Sequence, residues 1–204
     1  MTANLRMILV TLPILATTSA ARAEPQLEVM PGLGLGKATG EDSDEIELGP
    51  GLFVAVGARM HPRASLRGQL SVDRPGIDDG GSGIDVSFWM FRAEVVPAFH
   101  FGNEKVDVGV GPALGLFYMR ASAEVSSPLG NAEASVSARG FTLGVQTWLM
   151  ARVSPEVSLG PVFSYGRLWA TKACFEEANL PETCDDSPDN DDQGYLNLSL
   201  GLLF

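Results

Sequence analysis

Apolar and polar residues alternate with a period of two along most of this chain, as expected for β-strands, whose successive side chains point to opposite faces. There are eight such runs, and no helical pattern of comparable length competes with them. The runs span Gln26–Lys37, Glu45–Arg59, Ser65–Asp73, Ile84–Phe101, Val106–Arg120, Arg139–Arg152, Val157–Arg167 and Gly194–Phe204. The pattern predicts an all-β protein.

The connections between the runs alternate in length. Short turns lie at "MHPRA", "FGNEK" and "VSPE", and long polar segments lie near Ala38–Asp44, Arg74–Gly83, Ala121–Ala138 and Leu168–Gln193. Short turns at one end and long loops at the other, joining an even number of strands, are typical of barrels that cross membranes. The predicted fold is an eight-stranded antiparallel up-and-down transmembrane β-barrel.

The distribution of bulk between the two strand faces indicates which face meets lipid. In the fifth run Val108, Leu114 and Leu116 share one face, whereas the other face carries glycines and Asp107. A water-soluble barrel needs the opposite arrangement, with bulk inside and charge outside. We therefore expect the aliphatic face to point to hydrocarbon and the glycines to leave room in a narrow lumen for the large residues Phe53, Phe117, Trp148 and Met150.

The final run ends on Phe204 after alternating apolar residues. This ending resembles the C-terminal assembly signal of bacterial outer-membrane barrels, and the segment 24–204 resembles the small eight-stranded OmpA- and OmpX-like barrels in size and layout. The resemblance implies a location in the outer membrane of a Gram-negative cell, in contact with lipid and lipopolysaccharide. It also implies that the barrel-assembly machinery recognises the strand ending in Phe204.

The first 23 residues have the composition of a secretory signal peptide. Arg6 precedes an apolar stretch from Met7 to Ala16, and Ala21-Arg22-Ala23 forms an A-x-A cleavage site. A membrane anchor is the alternative, but ten residues that include Pro13 are too few to span a bilayer. We expect cleavage after residue 23 and a single barrel domain over residues 24–204.

The net charge limits the possible binding partners, and the cysteine content predicts a disulfide. Without Arg6 and Arg22, 12 basic and 25 acidic residues remain, which argues against nucleic acid. Fifteen of the acidic residues lie in the long loops and Glu45 borders the first of them. The run "CDDSPDNDDQG" in the last loop could bind divalent cations weakly or could simply be solvated. Cys174 and Cys184 are the only cysteines, and in an exported protein they are expected to form a disulfide.

Charged residues in the strands form two candidate sites. The first is a lumen network, which could be a conduction path or an ionic plug, and the plug is favoured because eight strands leave an interior just filled by side chains. Its predicted members are Glu28, Glu47, Arg59, Arg67, Asp73, Arg92, Glu94 and Asp107. The second is an outward cluster near the long loops that could hold lipopolysaccharide phosphates or could be separate snorkelling arginines: Arg120, Arg139 and Arg167.

Two features do not fit a regular alternation of apolar and polar residues. The fourth run cannot bury both Asp85 and Arg92 without a change of phase, so we expect a β-bulge near Phe88–Met90, unless Asp85 lies above the membrane. Prolines also interrupt the runs and lack the donor that a ladder needs, so local bulges or bends are expected at Pro31, Pro50, Pro97, Pro112 and Pro161.

The sequence predicts a structural or interaction role, such as envelope integrity, adhesion, or lipid and ligand contact through the outer loops. A narrow channel or carrier for small or hydrophobic solutes is the alternative, and a lipid A-modifying enzyme is a third hypothesis. No catalysis, cofactor or metal site is expected, because His61 and His100 lie at the short-turn end, away from the serines of the third loop.

Overall fold

The computed structural model describes residues 26–40, 46–77, 85–127, 130–177, 181–186 and 193–204, and most of them lie in β-strands. Eight strands are long: β1 (Gln26–Thr39), β3 (Gly49–His61), β4 (Ala64–Asp73), β6 (Asp85–Gly102), β7 (Val106–Ser127), β8 (Gly130–Arg152), β9 (Ser158–Glu177) and β11 (Gly194–Leu203). Three are short: β2 (Ile46–Glu47), β5 (Gly76–Ile77) and β10 (Thr183–Asp185). The predicted signal peptide and parts of the predicted long loops lie outside the described residues.

The eight long strands form a closed antiparallel ring in chain order. The first and last strands close it, with Gly32 of β1 opposite Gly201 of β11. Closure removes the unpaired edges that an open sheet would expose, so the backbone can be satisfied without water. The predicted eight-stranded barrel is confirmed. Within the described part of the chain, no helix has the length and apolar character needed to cross a bilayer.

The barrel is apolar outside and mixed inside. In β3 the outward Leu52, Val54 and Val56 are 58%, 40% and 48% exposed, whereas the inward Phe53 and Ala55 are 8% and 1% exposed. The last strand repeats this arrangement, because Leu198, Leu200 and Leu202 are exposed whereas its asparagine and serine are buried. The prediction that the aliphatic face points away from the lumen is confirmed for these strands.

Glycines leave room for the large side chains of the lumen. Trp148 of β8 lies opposite Gly109 of β7, and a Cβ atom added to that glycine would lie 1.9 Å from the indole Cε2. Phe53 of β3 lies opposite Gly32 of β1, where an added Cβ would lie 2.1 Å from the phenyl Cε1. A side chain at either glycine would displace the ring opposite it, so the glycines are part of how the narrow interior is packed.

Three strands extend further toward the long-loop end than the alternation predicted. β7 and β8 remain paired as far as Ser127 and Gly130, so most of the segment predicted as the third loop is a hairpin. β9 likewise continues to Glu177. The prediction was wrong there because small and polar residues such as serine and alanine were interpreted as loop. Their backbones still complete the ladder of hydrogen bonds beyond the apolar belt.

The predicted bulge near Phe88–Met90 is absent. β6 keeps one register against β7 from Asp85 to Val95, and its inward phase runs unbroken from Phe88 to His100. The strand continues beyond the apolar belt, and this continuation places Asp85 opposite Glu124, so no phase change is required. The register shifts of the ring lie elsewhere, between Arg59 and His61 and between Arg139 and Gly140.

The five strand prolines cause no register shift, so the expected bulges are absent at Pro31, Pro50, Pro97, Pro112 and Pro161, whereas the alternative of local bends stays a prediction. Between β6 and β7 the prolines have another effect. The register places Pro97 directly opposite Pro112, and pairing stops between Val95 and Phe99 before it resumes unchanged. Neither proline has an N–H to donate, so this seam lacks the two bonds that such a pair would exchange.

Candidate functional site

The lumen holds an ionic layer near its short-turn end. Arg59 Nε lies 2.6 Å from Glu28 Oε1 and Arg59 Nη2 lies 3.2 Å from Asp107 Oδ2, while Arg67 Nη2 lies 2.7 Å from Glu28 Oε2. The guanidinium of Arg67 also stacks on Trp148, 4.1 Å from the ring centroid. Two arginines share one carboxylate, so each charge has an opposite partner in a region with little access to water.

A second ionic layer lies further into the lumen. Arg92 Nη2 lies 2.8 Å from Asp73 Oδ2, and Asn197 donates to the other oxygen of that carboxylate at 2.7 Å. The Tyr195 hydroxyl donates to Glu94 Oε1 at 2.7 Å, and the ring of Tyr195 lies 3.8 Å from the Arg92 guanidinium carbon. This layer therefore combines ion pairs with hydrogen bonds that hold each carboxylate in place.

These layers fill the interior of the barrel. Arg67 and Met30 are each 1% exposed, and Met150 and Asp73 are not exposed at all. Between the ionic layers Gln146 spans the lumen, donating to Gln69 at 2.7 Å and to Ser164 at 3.1 Å. Side chains from opposite walls thus meet and bond across the described lumen.

Most of the predicted lumen charges meet in these layers, but Glu47 does not. Glu28, Arg59, Arg67 and Asp107 lie in the first layer, and the second layer contains Asp73, Arg92 and Glu94. Glu47 is exposed and belongs to β2, which pairs with β5 in a separate two-stranded sheet. Its assignment to the lumen is corrected, because Leu48 lies outside both strands and separates β2 from β3, so the alternation of β3 does not extend to Glu47.

The first ionic layer also contains two residues that the sequence analysis did not assign to the lumen, Ser65 and His100. Ser65 Oγ lies 2.7 Å from His100 Nε2. His100 Nδ1 lies 2.9 Å from Asp107 Oδ2. The inward phase of their strands was the available signal, since Ser65 and His100 alternate in step with Arg67 and Glu94. Their contact depends on the pairing between β4 and β6, which alternation alone does not predict.

At the short-turn end an open vestibule of about 480 Å³ leads to the first ionic layer. Its wall includes Glu28, Arg59 and Asp107 together with the apolar Leu27 and Phe204. Arg59 and Asp107 are therefore the ionic groups of the lumen that meet solvent, with side chains 23% and 21% exposed.

The three outward arginines do not form one cluster. Tyr118, Arg139 and Lys172 lie side by side on β7, β8 and β9, and Arg120 lies diagonally beside Arg139, opposite Ser137. Arg167 lies opposite Leu143, four residues deeper along β8, which corresponds to about 13 Å. The structure therefore replaces Arg167 by Lys172 in the basic group, because the strands are paired with an offset.

The segment around β10, which a disulfide links to β9, borders this basic group. Cys174 of β9 lies opposite Cys184 of β10 and the two form a disulfide, as the sequence predicted. A cavity of about 270 Å³ lies between Arg139, Lys172, Cys174 and Glu182. Cys174, Glu182 and Cys184 lie close together, but the sulfurs are bonded to each other and offer no thiolates to a metal. Much of the acidic run that follows Cys184 lies outside the described residues.

Comparison with solved structures gives the class of fold. The neisserial surface protein NspA has 17% identity and a TM-score of 0.55, over 87% of this chain and 95% of that one. Ail, the attachment invasion locus protein of Yersinia pestis, in complex with the heparin analogue sucrose octasulfate, has 18% identity and a TM-score of 0.57, over 89% and 100%. A major outer membrane protein from Thermus thermophilus has 14% identity and a TM-score of 0.57, over 89% and 100%.

The chain therefore has the fold of small outer-membrane β-barrels. No protein-family model matches its sequence, and no curated protein matches it either. The likeness accordingly defines the architecture, while the activity has to be argued from this chain's own residues.

Proposed function

We propose that the protein is a closed barrel of the bacterial outer membrane, with its short turns toward the periplasm, that acts through its outer end in envelope integrity, adhesion or lipid contact. The filled lumen carries this proposal. Arg67 is buried and stacked on Trp148, and the Gln146–Gln69 bond crosses the lumen, so solutes have no continuous aqueous route past these layers. The exposed aliphatic belt of the outer wall supports the membrane location.

The same closure argues against the alternative of a narrow channel. Single-channel conductance distinguishes a closed barrel from a channel. Wild-type protein in planar lipid bilayers should give no steady single-channel current. Replacing Arg67 with alanine should admit small, irregular currents, because it removes the guanidinium that bonds Glu28 and covers Trp148. A steady current through the wild-type barrel would overturn the closed-lumen proposal.

The outer basic group formed by Arg120, Arg139 and Lys172 is proposed to contact phosphate groups of lipopolysaccharide. Arg120 and Lys172 have acidic neighbours, Glu176 at 3.7 Å and Asp186 at 3.8 Å. Exposed pairs at such distances are weak, so the cations can exchange these partners for phosphate. Tyr118 beside Arg139 lies at the height where aromatic side chains flank an apolar belt.

Lipopolysaccharide retention during purification tests this contact. Alanine at Arg120, Arg139 and Lys172 together should lower the amount that stays bound by several-fold. Alanine at Arg152, an exposed arginine at the opposite end, is the matched control and should leave it unchanged. Equal retention by the triple variant and the control would remove the proposed contact while leaving the closed barrel standing.

A further inference from the structure

Ser65, His100 and Asp107 form a continuous hydrogen-bonded relay across three strands of the barrel. Ser65 Oγ on β4 lies 2.7 Å from His100 Nε2 on β6, and His100 Nδ1 lies 2.9 Å and 3.1 Å from the two carboxylate oxygens of Asp107 on β7. No catalysis was expected because both histidines lie away from the serines of the third loop. The fold instead places Ser65, a serine of β4, beside His100.

The contacts of Asp107 determine which nitrogen of His100 carries the proton. An ionised carboxylate only accepts hydrogen bonds, so Nδ1 at 2.9 Å must be protonated and donate to it. Nε2 is then free to accept the Ser65 hydroxyl. Arg59 Nη2 lies 3.0 Å from Nδ1, but a guanidinium only donates, so its bond goes to Asp107 Oδ2 at 3.2 Å. Trp148 Nε1 also donates to that oxygen, at 3.3 Å.

We propose that Ser65 is an acylatable nucleophile, with His100 as its general base and Asp107 as the residue that positions His100, and that the barrel hydrolyses short-chain carboxylic esters reaching it from the vestibule. A hydroxyl bonded to an imidazole, whose other nitrogen is held by a carboxylate, is the arrangement that activates serine in hydrolases on unrelated folds. Arg59 lies opposite Ser65 in the β3–β4 ladder and supplies positive charge for the developing oxyanion.

The reaction is balanced with water as the second reactant. Ser65 Oγ bonds to the ester carbonyl carbon while its proton passes to His100 Nε2. The bond from that carbon to the alcohol oxygen then breaks, and the leaving oxygen takes the proton from Nε2. Water attacks the acyl-serine, gives a proton to Nε2, and the carboxylic acid leaves as Ser65 Oγ recovers that proton. Asp107 stays ionised throughout and stabilises the imidazolium each time it forms.

The vestibule limits the substrate. Its volume of about 480 Å³ suits a small molecule, and Leu27 and Phe204 give it apolar wall beside the charged Arg59. Ser65 and His100 are only 3% and 2% exposed and do not line the vestibule, so a substrate reaches Oγ only when side chains between the vestibule and Ser65 shift. Acylation should therefore be slow, and it should favour short acyl groups over long ones.

A fluorophosphonate probe, which bonds irreversibly to activated serines, tests the proposal on the full folded chain in detergent. Intact mass should rise by one probe, and peptide mapping should place the probe on Ser65. His100→Gln should slow labelling at least about 100-fold, the loss expected for a missing general base. Asp107→Asn should also slow it, and Asp107→Glu should restore part of the rate, which a purely structural carboxylate would not do.

Two controls keep the outcome decisive. Ser71→Ala removes another buried serine of β4, and His61→Gln removes the exposed histidine at the end of β3, so both should be labelled like wild type. Hydrolysis of p-nitrophenyl acetate should follow the same order among the variants. Absence of label on the wild-type chain, or label on any residue but Ser65, overturns the proposal even if Ser65→Ala does not fold.

Discussion

Arg92 and Asp73 form an ion pair in the middle of the lumen, with Nη2 2.8 Å from Oδ2 and neither side chain more than 1% exposed. The two residues lie on β6 and β4, which are adjacent in the ring. Their neighbour Glu94 is 3.6 Å from the other guanidinium nitrogen, and Asn197 bonds the other oxygen of Asp73. The pair therefore anchors a network that reaches from β4 through β6 to β11.

Asp73→Ala should lower the free energy of unfolding by about 3–5 kcal/mol, because it leaves the Arg92 charge buried without its nearest partner. Urea unfolding of the barrel in detergent measures the change. Glu176→Ala is the matched control, because it breaks the exposed ion pair with Arg120 and should cost no more than about 1 kcal/mol. Equal effects for the two variants would show that burial adds nothing to the Arg92–Asp73 pair.

The seam between Pro97 and Pro112 predicts a stabilising substitution. On their other sides Pro97 pairs with Leu66 of β4 and Pro112 pairs with Val145 of β8, and these pairs persist although a proline has no N–H to donate. The nitrogens of the two prolines therefore point at each other across the seam. Pro97→Val supplies a donor to the Pro112 carbonyl, which Pro97 cannot satisfy, and in the proposed membrane an unsatisfied group costs several kcal/mol. The gain should exceed the roughly 1 kcal/mol lost by freeing the unfolded chain, giving a net stabilisation of about 1 kcal/mol.

Urea unfolding measures this change as well. Pro62→Val, in the exposed turn between β3 and β4, carries only the unfolded-state cost and serves as the control. If Pro97→Val were as destabilising as Pro62→Val, the missing hydrogen bonds of the seam would not be a source of instability.

Alternation predicted the ring and the inward phase of its strands because a period of two fixes which face each side chain takes. Val54 and Phe53 could be assigned to opposite faces from their positions alone. The contacts across the lumen could not be predicted in the same way. They depend on how far each strand is displaced along its neighbour, and a displacement of two residues preserves every face while it changes every partner.

Two of the errors arise from this displacement between strands, and a third arises from segments that lack apolar alternation. Arg167 shares its outward face with Arg139, yet the pairing places it beside Leu143. Ser65 and His100 are inward by phase, yet only the β4–β6 register brings them together. Serine-rich strand segments beyond the apolar belt, such as the end of β7, carry no apolar alternation and were interpreted as loop, although backbone pairing alone holds them.

Reduction of the Cys174–Cys184 disulfide should release the segment around β10 without unfolding the barrel. β10 pairs with only three residues of β9, too few to hold the segment once the covalent link is lost. A disulfide closing a ring of this size contributes roughly 2–3 kcal/mol. Cleavage by proteinase K near residues 181–186 should therefore accelerate with reductant, while the barrel core stays resistant.

The Cys174→Ala, Cys184→Ala double variant provides the comparison for that experiment. It should be cleaved at the fast rate whether or not reductant is present. Identical cleavage of the oxidised and reduced wild-type chain would mean that β10 is held by its other contacts.

Phe204 should matter for assembly more than for stability. Its backbone pairs with Val29, with hydrogen bonds of 3.0 Å and 3.3 Å, but its side chain is 54% exposed. Phe204→Ala should therefore leave the unfolding midpoint of the purified, refolded barrel nearly unchanged. In cells it should lower the amount of inserted barrel several-fold, because the proposed recognition by the assembly machinery reads the terminal ring. Phe101→Ala, which removes a ring that is 58% exposed at the same end, controls for lost aromatic surface. If the two variants insert equally well, recognition of the terminal residue is excluded.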